Sequence, residues 1–132
     1  HEHVMPQFIK KLTCNEKFVV EGDGAETRSF CYIDDAITAT KIVHQDNTFD
    51  NRIFNIGNIE EVSISTLIEY LAHISGRDIT PEFQEKANFG TKRRVPDISK
   101  AKSLGYEPKI SLKEGFEITY KWYNEYYKDN KI

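Results

Sequence analysis

The spacing of apolar positions assigns most elements of this chain before any other property is considered. Met5, Phe8, Ile9 and Leu12 recur at helical intervals and predict a helix over Val4 to Leu12. Phe18-Val19-Val20 is a short apolar run closed by Glu21-Gly22-Asp23-Gly24, a sequence suited to a tight loop because glycine reaches positive φ without strain. Arg28-Ser29-Phe30-Cys31-Tyr32-Ile33 alternates large apolar residues with polar ones, as a strand does. Asp34 or Asp35 then suits a helix N-cap, and the helix it would start carries Ile37, Thr40 and Val43 along one face.

Farther on, Ile53-Phe54-Asn55-Ile56 reads as a buried strand closed by Gly57-Asn58. Ser63 is placed to cap a helix, with Val62 and Leu67 as a hydrophobic staple, Ile64, Leu67, Ile68, Leu71 and Ile74 as its inner stripe, and Gly76 as its stop. Asp97 predicts the start of a short helix ended by Gly105, and Ser111 with Glu114 forms a capping-box pattern. The final helix sets Leu112, Phe116, Tyr120, Tyr123 and Tyr127 on one side and leaves Trp122 and Tyr126 off that stripe. Helices with a few short interleaved strands predict an α/β unit, or an α+β unit taken alone, and the absence of repeats or linkers predicts a single unit over residues 1–132.

Composition narrows the class without naming a function. The 132 residues are 39% hydrophobic and 30% charged, a globular balance, and the formal net charge is −3. No apolar run reaches the roughly 18–20 residues of a membrane span, and Cys14 and Cys31 offer neither a disulfide framework nor zinc-type spacing. The expectation is a cytoplasmic protein that is not a membrane protein, a collagen, a disulfide mini-protein or a secreted precursor. The charge is uneven: residues 1–90 hold 8 basic and 15 acidic side chains, residues 91–132 hold 10 and 6. A basic final third is a solvated face or a phosphate-binding edge. Nucleic-acid binding is not expected, because the net charge is negative and no recognition motif accompanies the basic residues.

Catalytic motifs are sparse. Gly22 and Gly24 are followed by Thr27 where a dinucleotide fingerprint needs its third glycine, and no Walker loop, H-E-x-x-H or C-x-x-C occurs. No metal site is expected from histidines scattered over positions 1, 3, 44 and 73. Two arginine placements stand out: Arg28, directly after the glycine loop, and Arg93-Arg94, just before Pro96 and Asp97. The planar guanidinium fork suits bidentate contact with phosphate oxygens, so two such sites from distant segments could clamp a diphosphate. The spacing alone also fits an Arg28 paired with Asp34 or Asp35, with Arg93 and Arg94 solvated.

In order and spacing, the blocks Val4-Met5-Pro6-Gln7-Phe8-Ile9, Glu21-Gly22-Asp23-Gly24, Thr27-Arg28-Ser29-Phe30-Cys31-Tyr32-Ile33-Asp34-Asp35, Phe54-Asn55-Ile56-Gly57-Asn58, Arg93-Arg94-Val95-Pro96-Asp97-Ile98-Ser99-Lys100-Ala101 and Leu104-Gly105-Tyr106-Glu107-Pro108 resemble the C-terminal, substrate-binding part of extended short-chain dehydrogenase/reductases. The likeness is to their nucleotide-sugar epimerases, dehydratases and decarboxylases. It implies a parent enzyme whose N-terminal Rossmann domain, missing from these residues, binds NAD(P) and carries a catalytic Tyr-x-x-x-Lys. Tyr127 and Lys131 spell that pattern only in the tail of the last helix, where the resemblance gives it no role. A segment of such an enzyme is expected to bind no NAD(P) itself, to hold no catalytic residue and to be inactive alone.

The resemblance also implies roles. Arg28 and Arg94, with Arg93 beside it, match the arginines that contact the substrate diphosphate. Asn88-Phe89-Gly90-Thr91 falls where the family closes a loop over the phosphates, Gly90 and Thr91 being the candidate contacts. Val19, Val20 and Glu21 match the strand along the nucleobase, where many relatives carry an aromatic at the Glu21 position, and His3 and Val4 fall near the phosphate or ribose. Asp35 is expected to cap a helix, residues 54–57 to add an edge strand to the parental sheet, and Tyr106 and Trp122 to be core or subunit-contact residues. Expected partners are the nucleotide sugar, the Rossmann domain and a second copy in a homo-oligomer. The competing class is a free-standing interaction module that docks a Rossmann partner through the aromatic last helix.

Overall fold

The computed structural model describes residues 3–45, 52–85 and 91–129. In chain order the elements are α1 (Val4–Thr13), β1 (Val19–Glu21), β2 (Thr27–Ser29), α2 (Ile33–Gln45), β3 (Glu61–Ser63), α3 (Ile64–Ser75), β4 (Glu82–Gln84), β5 (Arg93–Arg94), α4 (Ser99–Lys102) and α5 (Leu112–Asp129). β1 and β4 pair in parallel. β2 is the centre of a second sheet, antiparallel to β3 and parallel to β5.

Burial of three amphipathic helices builds the main core. Phe8 and Ile9 of α1, Leu67, Ile68 and Leu71 of α3, and Phe116 and Tyr127 of α5 meet Phe18 and Val20 there, and Phe8 and Phe18 rings lie 4.9 Å apart. The local signals for these helices hold. Ser63 Oγ accepts the Thr66 amide at 3.0 Å, and Gly76 ends α3 at φ +65°. Ser111 Oγ accepts the Glu114 amide at 3.2 Å at the start of α5. Trp122 and Tyr126 lie off the buried stripe, as the spacing predicts.

Around α2 the sequence reading needs correction. The helix begins at Ile33, so Asp34 and Asp35 sit inside its first turn and neither is the N-cap. The buried face is Asp35 and Ala39 with Ile42 partly buried, while Ile37 and Thr40 are exposed. Asp35 instead accepts the amides of Lys109 and Ile110 at 2.9–3.1 Å, tying α2 to the segment that enters α5. Residues 53–56 form no strand, and Ile53 is 83% exposed. Side-chain bonds hold this segment in place of a ladder: Asn55 Nδ2 donates to the Asp97 carbonyl, Asn58 Oδ1 accepts the Glu60 amide, and the Tyr106 hydroxyl donates to the Gly57 carbonyl at 2.8 Å. Gly57 lies so close to Pro96 that a Cβ there would sit 2.7 Å from its ring. The strand predicted from Arg28 ends at Ser29.

Candidate functional site

The loop from β1 to β2 decides where Arg28 points. Gly22 and Gly24 adopt φ +90° and +77°, which only glycine holds cheaply, and Asp23 Oδ1 accepts the Ala25 amide at 2.9 Å. The Gly24 carbonyl accepts the Ser65 amide and the Glu26 carbonyl accepts the Ile64 amide, both at 3.0 Å. The loop therefore consumes the first two amides of α3, and a Cβ on Gly24 would press on the Phe83 ring at 2.8 Å. Glu21 and Arg28 stand at the two ends of one rigid ledge.

Beyond the loop, the Thr27 amide donates to the Lys92 carbonyl at 2.8 Å, locking β5 alongside β2. The register sets Arg28 directly beside Arg94 and Thr27 beside Arg93. Paired residues of parallel strands share a face, so Arg28 and Arg94 project together from strands about 4.8 Å apart. Arg28 is 80% buried at its side chain; its guanidinium donates to the carbonyls of Thr27 at 2.7 Å and Lys92 at 3.4 Å, with Glu26 Oε2 at 3.9 Å. It makes no pair with Asp34 or Asp35 among the described residues. Arg94 is exposed and makes no ion pair among the described residues. Two cations on adjacent strands repel, and a doubly charged oxyanion between them reverses the sign of that interaction.

Arg93 has a different employer. It lies on the opposite face from Arg94 and grips Glu61: Nε donates to both carboxylate oxygens at 3.0–3.1 Å, and the Nη2–Oε2 contact is 2.9 Å. Thr27 donates to the same carboxylate. The Thr27 and Arg93 hydrogen bonds hold the Glu61 carboxyl below its ordinary range. Glu61 and Glu26 were not foreseen; the two-residue spacing of Glu26 and Arg28 on an extended chain was the available signal for the second.

The remaining predicted positions fall into place unevenly. Val20 is a core residue, Val19 is half-buried and Glu21 is exposed beside Gln84. His3 lies just ahead of α1, its carbonyl accepting the Gln7 amide at 3.1 Å, and Val4 opens the helix. Thr91 is exposed two residues before β5, whereas Gly90, like Asn88 and Phe89, lies outside the described residues. Asp97 accepts the Ser99 amide at 2.9 Å, which lowers its carboxyl's pKa, but the N-cap of α4 is Ile98, and the helix ends at Lys102, before Gly105. Tyr106 is buried with its hydroxyl 3.7 Å from Cys31 Sγ, and burial raises both groups above their ordinary values.

These residues do not fit a dinucleotide cradle. Such a cradle runs from strand through glycine loop to helix N-terminus, with loop amides facing the pyrophosphate. Here the glycine loop runs into β2, and the Gly22 amide is spent on the Gln84 carbonyl at 2.8 Å. Among the described residues no three His, Cys, Asp or Glu side chains gather as metal ligands. No helix among them is long and apolar enough to cross a membrane.

Comparison with known proteins places this geometry. The family described as "NAD dependent epimerase/dehydratase family" matches residues 1–57. A UDP-N-acetyl-alpha-D-glucosaminuronate decarboxylase of Bacillus cytotoxicus is 33% identical over 129 residues, covering 92% of this chain and 40% of its own length. GDP-L-fucose synthase 1 of Arabidopsis thaliana is 33% identical over 128 residues, covering 93% and 39%. Among solved structures, the UDP-glucuronic acid 4-epimerase from Bacillus cereus in complex with UDP-glucuronic acid and NAD superimposes with a TM-score of 0.89 at 33% identity, over 96% of this chain and 41% of that one. The chain thus spans about two-fifths of the length of these relatives. Fold and sequence agree that it belongs to the NAD-dependent epimerase/dehydratase family of the extended short-chain dehydrogenase/reductases.

Proposed function

We propose that this chain grips the diphosphate of a nucleotide-sugar substrate between Arg28 and Arg94. One observation carries the reading: the parallel register of β2 and β5 sets these two arginines side by side, although 66 positions separate them in sequence. Arg28, held by two carbonyls, is the preorganised member, and exposed Arg94 closes on the second phosphate. Arg93 serves this site by fixing β5 through Glu61. In this reading Thr91 borders the phosphates, Val19, Val20 and Glu21 serve the nucleobase, and His3 and Val4 serve the ribose. The relatives named above act on UDP- and GDP-linked compounds, which supports the substrate class. Turnover belongs to the assembled enzyme, where this grip on the nucleotide orients a sugar carbon for chemistry supplied elsewhere.

The exposed isoleucines favour a specific place for that elsewhere. Ile33 and Ile37 on α2, and Ile53 and Ile59 in the segment that follows, are exposed large apolar side chains that a dinucleotide-binding partner would cover. A docking module would then use this side rather than the aromatic face of α5.

Calorimetric titration of UDP- and GDP-sugars into the chain tests the grip. A charge-assisted contact contributes about 1.5–3 kcal/mol, so Arg28→Ala and Arg94→Ala should each weaken binding by about tenfold or more, and the double variant should lose less than the product because both hold one ligand. Wild-type affinity retained in both single variants would sink the proposal.

A further inference from the structure

An arginine grip on the phosphates is blind to the nucleobase, and the free edge of β1 carries chemistry that is not. β1 has one neighbouring strand among the described residues, β4. Phe18 and Gly22 turn their backbone groups toward it: the Phe18 carbonyl accepts the Glu82 amide at 2.9 Å, and the Gly22 amide donates to the Gln84 carbonyl at 2.8 Å. Backbone groups of successive residues point to opposite sides of a strand, so the Val19 carbonyl and the Glu21 amide face the other edge, away from β4.

Lys11, in the last turn of α1, completes that edge. Its Nζ donates to the Val19 carbonyl at 2.7 Å. An ammonium has three protons and a carbonyl two lone pairs, so this one bond leaves both groups with capacity for a ligand. The edge therefore offers two donors, the Lys11 ammonium and the Glu21 amide, around one acceptor, the Val19 carbonyl. The Glu21 side chain stands on the sheet face beside Gln84, off this line.

We infer that this edge takes the imide of uracil or thymine and rejects guanine and cytosine, with Lys11 as the selecting residue. The inference rests on the role proposed above for Val19 and Glu21 at the nucleobase. An imide presents acceptor, donor and acceptor, the complement at all three positions. One carbonyl meets Lys11, the N3–H meets the Val19 carbonyl, and the other carbonyl meets the Glu21 amide. Guanine presents acceptor, donor and donor, so its exocyclic amine faces either the Lys11 ammonium or the Glu21 amide, whichever way round it docks. Cytosine sets an unprotonated ring nitrogen against the Val19 carbonyl. A polar group facing its own kind loses hydration without gaining a bond, and that loss is the source of the selectivity.

Calorimetric titration of UDP, dTDP, GDP, CDP and inorganic pyrophosphate into the full chain tests this. UDP and dTDP should bind more tightly than GDP and CDP by about tenfold or more, and the tighter of the two names the pyrimidine. N3-methyl-UDP, which lacks the imide proton, should fall to the level of GDP with the protein unaltered. Lys11→Met keeps the length of the side chain and removes the donor, so it should bring UDP and GDP close to parity, chiefly by weakening UDP. Pyrophosphate has no base and separates the two readings. If pyrophosphate and every nucleotide bind alike, this inference falls and the arginine grip stands; if no diphosphate binds, both fall. A preference for GDP would also overturn the inference, as would a UDP preference that survives N3 methylation or Lys11→Met.

Discussion

Two regions of this molecule are held together by different forces. Around α1, α3 and α5, large side chains meet large side chains: Ile9, Leu67, Leu71 and Phe116 are buried to within a percent of completely. Around α2 and α4, the buried apolar residues are Ala39, Ile98, Ala101 and Tyr106, with Ile42 and Ile56 half-buried beside them. Polar bonds over long sequence separations substitute there for volume: Asp35 to the Lys109 and Ile110 amides, Asn55 to the Asp97 carbonyl, and Tyr106 to the Gly57 carbonyl. The second region leaves Ile33, Ile37, Ile53 and Ile59 exposed, whereas Ile9, Ile64 and Ile68 of the first are buried. The first region is a finished core, and the second is a polar-stapled layer with one apolar side left to offer.

The most severe test of that contrast is a pair of truncations. Leu71→Ala removes a fully buried side chain from the first core and should cost about 3–5 kcal/mol in denaturant unfolding, because the cavity cannot collapse among three anchored helices. Ile37→Ala removes a similar volume from the outer face of α2, where the side chain is exposed, and should stay within about 0.5 kcal/mol. Equal costs at the two sites would erase the distinction.

Next in size is the staple between the regions. Asp35→Ala strands the amides of Lys109 and Ile110 in a half-buried setting and should cost about 2–4 kcal/mol, whereas Asp35→Asn keeps one acceptor and should lose about half as much. Native-state hydrogen exchange would sharpen the result: in the alanine variant α2 should lose protection while α3 keeps it. Protection lost equally in both helices would mean that the two regions unfold as one.

The same division explains what the sequence could reveal. α1, α3 and α5 were legible because their stripes, the Ser63 cap and the Gly76 stop are local, and hydrophobic burial follows periodicity wherever a helix packs on a large core. α2 misled because its inner face is an aspartate and an alanine. The stripe of larger residues, Ile37, Thr40 and Val43, drew attention to the wrong side, and nothing near Asp35 announces an amide 75 positions away. Ile53-Phe54-Asn55-Ile56 has strand composition but no ladder among the described residues. Each arginine was visible as a candidate, yet their adjacency was not, since it rests on a two-residue strand joined to β2 across more than sixty positions. The grip of Arg93 on Glu61 likewise depends on β2 bringing its two neighbours together.

The smallest expected effect lies in the pH dependence, and it again separates surface from layer. Glu61 and Asp97 titrate below their ordinary range when folded, so the stability they contribute is present at neutral pH and is lost as pH falls through their folded values. Both are surface groups, and the acid effect should be slight; Glu61→Gln should flatten it further. Cys31 and Tyr106 are raised, chiefly by burial, so their neutral forms are favoured when folded. Their contribution is complete below the ordinary thiol and phenol ranges and declines above about pH 9, where the unfolded chain ionises and the folded chain resists. Denaturant midpoints at pH 7 and pH 10 should therefore fall more steeply in the wild type than in Tyr106→Phe, which carries no phenol to titrate. An equal fall in the two would place the alkaline sensitivity outside the α2 layer and leave its polar staples indifferent to pH.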